Sequence, residues 1–152
     1  MLWIVGCGST GHQNTAEKLL IAIEKGDFET VFDMSHYYQE EISHIKNQYP
    51  KTLWQEKSTE YYESREKAFY SETFMAVIGF ISDEPTYDLR QLRELIASSS
   101  GWNILEVRKE KEALLFSTRD IYVVYVKFDD ETILGLWFHA KTGLYLGNKR
   151  IN

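Results

Sequence analysis

Histidines and carboxylates at helical spacing are the residues of this chain best suited to chemistry. His36, Glu40 and His44 stand four apart, and Glu41-x-x-His44 repeats the carboxylate–histidine spacing of di-iron helices. On one helix these side chains would share a face. A di-iron bundle also needs a second such motif on a partner helix, and the sequence has none. A solvated helix face is therefore the expectation, and no metal or other cofactor is assigned. His139 stands beside Lys141 on an expected strand, with Tyr125 and Asp129/Asp130 available across the hairpin. Converged, such groups would suit acid–base work. No motif fixes their roles, so no catalytic and no ligand-binding residue is assigned. Nucleophile elbow, P-loop and zinc spacings do not occur.

The first fifteen residues hold two competing signals. Gly6-x-Gly8-x-x-Gly11 has the spacing of a dinucleotide-binding loop, with Leu2–Val5 as the preceding strand, Thr15–Lys25 as the helix and Asp33 closing a second strand, Glu29–Phe32. Against this, Asn14 or Thr15 is a better helix start than Ser9, and no strand–helix–strand alternation follows. The other signal is Ile4-Val5-Gly6-Cys7, an apolar stub with a small residue before the only cysteine, followed by polar and glycine-rich residues. It resembles the lipobox of bacterial lipoproteins, in which the preceding residues are removed and the thiol is acylated. A full signal carries a basic region and an apolar stretch of roughly 7–15 residues, more than precedes Cys7, so Met1 would lie within the signal. The resemblance implies lipidation at Cys7 and a membrane partner reached through a lipid anchor. It also implies a location outside the cytoplasm on the bacterial cell envelope, with residues 1–14 forming signal remnant and flexible tether. Residues 15–152 are then a single domain.

Composition agrees with one folded unit. The 152 residues are 43% hydrophobic and 26% charged, enough apolar matter for a core. A net charge of -6 argues against nucleic acid as a partner, since phosphate neutralisation calls for a basic surplus. One cysteine excludes an internal disulfide and multi-cysteine metal sites. No apolar run approaches the length of about 20 residues needed to span a bilayer.

The elements that must position these residues change character along the chain. Asn14 and Glu17 have capping-box spacing, and Leu19, Leu20 and Ile23 form an apolar helical stripe that ends at Gly26-Asp27. A short helix over Phe28–Met34, a longer one over Tyr37–Asn47, a Tyr-rich helix over Lys57–Tyr70 and an amphipathic one over Tyr87–Ser98 follow. The state of Thr73–Ile81 is left open. After Gly101 the pattern turns strand-like: Trp102–Val107, Ala113–Ser117, Ile121–Phe128, Ile133–Ala140 and Leu144–Asn148. The mixed-charge run Arg108–Glu112 reads as a solvated turn, and Gly143 suits a left-handed loop position. Both faces of Ile133–His139 carry large apolar groups, so the sheet should be covered on both sides or curled. Helices first and an antiparallel meander last make an α+β fold, with N-terminal helices packed on a C-terminal curved sheet. Tyr37-Tyr38, Tyr61-Tyr62, Tyr49, Trp54, Trp102 and Trp137 contribute to an aromatic content of 14%. They suit a ligand cleft or partner surface, but core and rim are the preferred reading.

Two segments carry a family resemblance. The run Ala16–Asp27 resembles the opening helix of the nuclear-transport-factor-2-like (cystatin-like cone) families, where an amphipathic helix ends in Gly-Asp before a short second helix. Trp137–Leu146 is similar to their last hairpin. The resemblance implies a curved sheet wrapped on helices, a fold shared by many secreted bacterial lipoproteins. Its members include isomerase- and dehydratase-type enzymes that use an Asp–His pair or a buried Asp or Tyr, and also binding modules and scaffolds. Three expectations follow. The leading one is a lipid-anchored domain that binds a small molecule or protein without evident catalysis. The second is a small cone-shaped isomerase or dehydratase with His139 in a deep pocket. The third is a nucleotide-binding protein using Gly6, Gly8, Gly11 and Asp33.

Overall fold

A computed structural model describes residues 3–70 and 89–152, with side chains from 11–70 and 91–152. Thr73–Ile81 lies outside the described residues. Helices come first: α1 (Trp3–Lys25), α2 (Phe28–Met34), α3 (His36–Gln48), a 3-10 turn (Lys51–Leu53), α4 (Trp54–Tyr70) and α5 (Leu89–Ser98). The sheet follows as an antiparallel meander of β1 (Trp102–Ala113), β2 (Thr118–Phe128), β3 (Ile133–His139) and β4 (Tyr145–Arg150), in the order β1-β2-β3-β4. The class is α+β, as the sequence pattern implies.

The apolar stripe of α1 explains its place. Ala16, Leu19, Leu20 and Ile23 recur at helical spacing and are fully buried. They share one core with Leu92 and Ile96 of α5, and with Val124, Val126, Phe128, Leu134, Leu136 and Phe138 on one face of the sheet. Burying that many large side chains, at roughly 1.5–3 kcal/mol each, is the main force joining helices to sheet. At Gly26 the backbone turns left-handed (φ 70°), a conformation that suits a residue without a Cβ. Asp27 then caps α2, accepting from the Thr30 N–H at 3.2 Å. Beyond α2, a second cluster of Phe28, Phe32, Tyr38 and Phe69 ties α2, α3 and α4 together. Tyr61 and Tyr62 pack against it, so these tyrosines belong to a helical core and its rim, as preferred from the sequence.

The other face of the sheet carries its own cluster. Ile121, Val123 and Leu146 are buried there, with Tyr125 and Trp137 packed against them. Gly135 lies in the same layer, where an added Cβ would come within 2.9 Å of Val123 Cγ1. Apolar residues on both faces are thus explained by two cores of unequal size. Gly143, at φ 70°, closes the last hairpin with its N–H donating to the His139 carbonyl at 2.8 Å.

Three expectations are corrected. The first helix begins at Trp3 rather than at Asn14 or Thr15, so residues 3–14, expected as a flexible tether, are helical. Thr15 Oγ1 donates to the Gly11 carbonyl at 2.9 Å, the back-bonding of a helix interior. The His12 ring stacks on Tyr122 of β2 at 3.7 Å between centroids, and that tertiary contact outweighs weak local propensity. The second correction concerns the dinucleotide-loop reading of Gly6, Gly8 and Gly11. Val5 is helical where a strand is needed, Gly6, Gly8 and Gly11 lie inside α1, and Glu29–Phe32 belongs to α2. The third concerns the first hairpin. Arg108–Glu112, expected as a turn, is the outer half of β1, while Leu114–Ser117, expected as strand, forms the connection. The Leu114 N–H closes that connection on the Ser117 carbonyl at 2.7 Å.

Candidate functional site

The side chains that converge come from the start of α3 and the outer ends of β1, β2 and β3. Ser35 ends α2, precedes α3 and bridges to Tyr145 of β4. That bridge fixes where α3 begins. His36 and Tyr37, its first two residues, therefore reach the outer end of the sheet. The His36 ring stacks on His139, the last residue of β3, with centroids 5.4 Å apart and planes inclined by 14°. His36 Nε2 lies 3.4 Å from Glu40 Oε2 one turn along α3. Two positions with no sequence link thus form one surface.

The strands complete it. Glu112 and Arg119 face each other across β1 and β2. Arg119 Nε donates to Glu112 Oε2 at 2.5 Å, and its Nη2 donates to the Tyr37 hydroxyl at 3.3 Å. Both members of the ion pair are about four-fifths buried, at 18% and 19% side-chain exposure. Burial works against the Arg119 charge, but the hydrogen bonds to Glu112 and Tyr37 outweigh it and hold its pKa above the ordinary value. For His36 burial is the main influence and lowers its pKa, with Arg119 and His139 acting in the same direction and Glu40 and Glu112 opposing. The ring thus favours its neutral form. His139 Nδ1 accepts from the Lys141 backbone N–H at 3.1 Å, so in that geometry the ring proton sits on Nε2. The arrangement offers an imidazole face and a phenol beside an ion-paired guanidinium, groups that suit a planar ligand.

Other candidate residues do not join them. His44 turns to Glu41 at 3.8 Å and is exposed, so the His36–Glu40–His44 triad is not one site. Among the described residues, no group of three or more His, Cys, Asp or Glu could hold a metal ion. Tyr125 bonds Glu110 rather than approaching His139. Its pKa is raised, mainly by burial and then by Glu110. Asp129 and Asp130 lie in the β2–β3 turn, at the end of β3 opposite His139. Asp33 is exposed on α2, and Cys7 lies on α1. A groove between α1 and α2, lined by Asn14, Glu17, Lys18, Ile21, Lys25 and Thr30, does not include His139.

Sequence reasoning missed Arg119 and Glu112. The signal for Glu112 was the mixed-charge run Arg108–Glu112, which becomes informative once the turn is placed after Ala113 and Arg119 falls opposite it. Comparison with protein-family models, with curated proteins and with solved structures finds no match to this chain.

Proposed function

We propose that this chain is an extracytoplasmic domain held on a bacterial cell envelope through acylated Cys7, binding a small molecule or protein without catalysing a reaction. In this reading it is a member of the nuclear-transport-factor-2-like cone families, and the surface at His36 and His139 is its recognition site. The observation that carries the anchor is the placement of Ile4-Val5-Gly6-Cys7. It lies on α1 upstream of His12, the residue whose ring stacks on the sheet. Among the described residues, no helix is long and apolar enough to cross a membrane. A lipid attachment would supply what the helices do not, provided more than one acyl chain is added.

Absence of catalysis is supported by how the polar groups are spent. Arg119 and Glu112 neutralise each other, and His139 Nδ1 is held by a backbone N–H rather than a carboxylate. The isomerase or dehydratase alternative draws on His36, whose favoured neutral form can accept a proton. It also calls for His139 in a deep pocket, whereas His139 is half-buried against His36.

The test is metabolic labelling with a palmitate analogue in cells expressing the gene from its own locus. Label on the protein, lost in Cys7→Ala, and a precursor that accumulates under globomycin are expected. An unmodified product in the cytosolic fraction would overturn the reading.

A further inference from the structure

The apolar connection between β1 and β2 is the most exposed hydrophobic feature among the described residues. Leu114, Leu115 and Phe116 are 41%, 88% and 95% exposed. They cap an arm that outreaches the rest of the sheet. Pairing of β2 with β3 begins at Ile121 and His139, while β1 and β2 continue through Glu112↔Arg119 and Ala113↔Thr118. Folding buries little of Leu115 or Phe116, so the core does not account for them.

The arm and the start of α1 project from the same end of the molecule. His12 stacks on Tyr122, on the arm side of β2. Residues later in α1 share a core with Val124, Val126 and Phe128, farther from the arm. At the far end of α1, Gly26 lies beside Arg93 of α5. The segment after α5 meets the β2–β3 turn, where the Asp129 N–H donates to Ser99 Oγ. Helix α1 therefore runs from the arm end towards the β2–β3 turn. Upstream of His12 it continues outward, and Cys7 sits about 7 Å further along its axis at 1.5 Å per residue. Strand β2 extends about 13 Å from Tyr122 to Thr118 in the same sense.

We propose that Leu114, Leu115 and Phe116 form a wedge that inserts into the interfacial layer of a lipid bilayer, orienting the domain on the membrane. This rests on the anchored reading, because a wedge this small gives weak binding alone and becomes effective at the concentration a tether imposes. Three side chains are too few for a stable protein interface, which buries about 1,200 Å² or more. A bilayer sets no such area threshold. The rim is charged but balanced: Arg108 pairs with Glu106 at 2.7 Å, Lys111 with Asp120 at 3.7 Å and Arg119 with Glu112. Insertion is therefore driven by apolar transfer and depends little on anionic lipid.

The test uses the full, unacylated chain carrying Cys7→Ser at millimolar lipid, where weak untethered partitioning is still read, with an environment-sensitive fluorophore on Ser117→Cys or, as a control at the opposite end, on Glu131→Cys. The probes are vesicles of phosphatidylcholine alone and of phosphatidylcholine with phosphatidylglycerol. The label at 117 blue-shifts on both and is quenched by brominated lipid, and the label at 131 does neither. Leu115→Ser with Phe116→Ser lowers partitioning about tenfold or more, as expected for losing two large apolar groups. No response at 117, an equal response at 131, a response confined to anionic vesicles, or self-association that competes with vesicle binding would each overturn the wedge. Failure here with palmitate on Cys7 in cells leaves the anchor standing. Insertion here with an unmodified Cys7 leaves the wedge and removes the anchor.

Discussion

Phe28 is 1% exposed and Phe116 is 95% exposed, although each sits beside a turn. Phe28 follows the Gly26-Asp27 turn and meets Phe32, Tyr38, Tyr62 and Phe69 at ring separations of 5.2 to 6.0 Å. Three helices bring those rings together, so each apolar group removed from water also gains dispersion contacts. Phe116 follows the last rung of a two-stranded arm, where no third element among the described residues is paired. Residue type is therefore a poor guide to burial in this chain, and the number of elements meeting at a position decides it. The buried ring stabilises the fold, whereas none of the described residues covers the exposed one.

Breaking the buried side of that contrast should have the largest effect. Phe28→Ala removes the centre of the aromatic cluster and should cost about 3–5 kcal/mol in urea unfolding. A loss below about 1 kcal/mol would mean the cluster is loosely packed. On the second face of the sheet, Gly135→Ala drives a Cβ against the stiff Val123 side chain. It should cost about 1–3 kcal/mol. An unchanged midpoint would show that this smaller core has room to yield.

The half-buried histidines sharpen the contrast through pH. His36, facing Glu40, Arg119, His139 and Glu112, has its pKa lowered mainly by burial. Below the ordinary value of 6.5 the unfolded chain then binds the proton more readily than the folded one. Stability is present above that value and is lost as pH falls through the window between it and the depressed folded value. His12, lowered by burial, acts in the same direction. Melting temperatures measured from pH 7.5 to 5 should fall, and His36→Gln should reduce the slope. An unaltered slope would place the pH dependence elsewhere. The smallest effect is expected at the tip, where Leu115→Ser with Phe116→Ser should shift stability by no more than about 0.5 kcal/mol. A larger loss would show that the tip packs on something within the fold.

Sequence alone carried the helical core well and the arm badly. The spacing of Leu19, Leu20 and Ile23 specified the buried face of α1, and Gly26-Asp27 placed the boundary with α2, because helix periodicity and cap chemistry are local. The first hairpin inverted the usual correlation. An edge strand facing solvent can be wholly charged, as Arg108–Glu112 is, and an apolar turn violates the expectation that turns are polar. The start of α1 was misplaced because its support, Tyr122, lies far along the chain. Candidate site residues fared likewise. His36 and His139 were each visible, but the contact between them depends on Ser35 meeting Tyr145, which no local pattern encodes.

One distance comparison tests directly whether a single end of the molecule carries both Cys7 and the apolar tip. Cys7 is the only native cysteine, so a spin label there can be paired with one at Leu115→Cys or at Glu131→Cys. Pulsed electron resonance should give the shorter separation for the pair with position 115. A shorter separation to position 131 would turn α1 around and contradict the account.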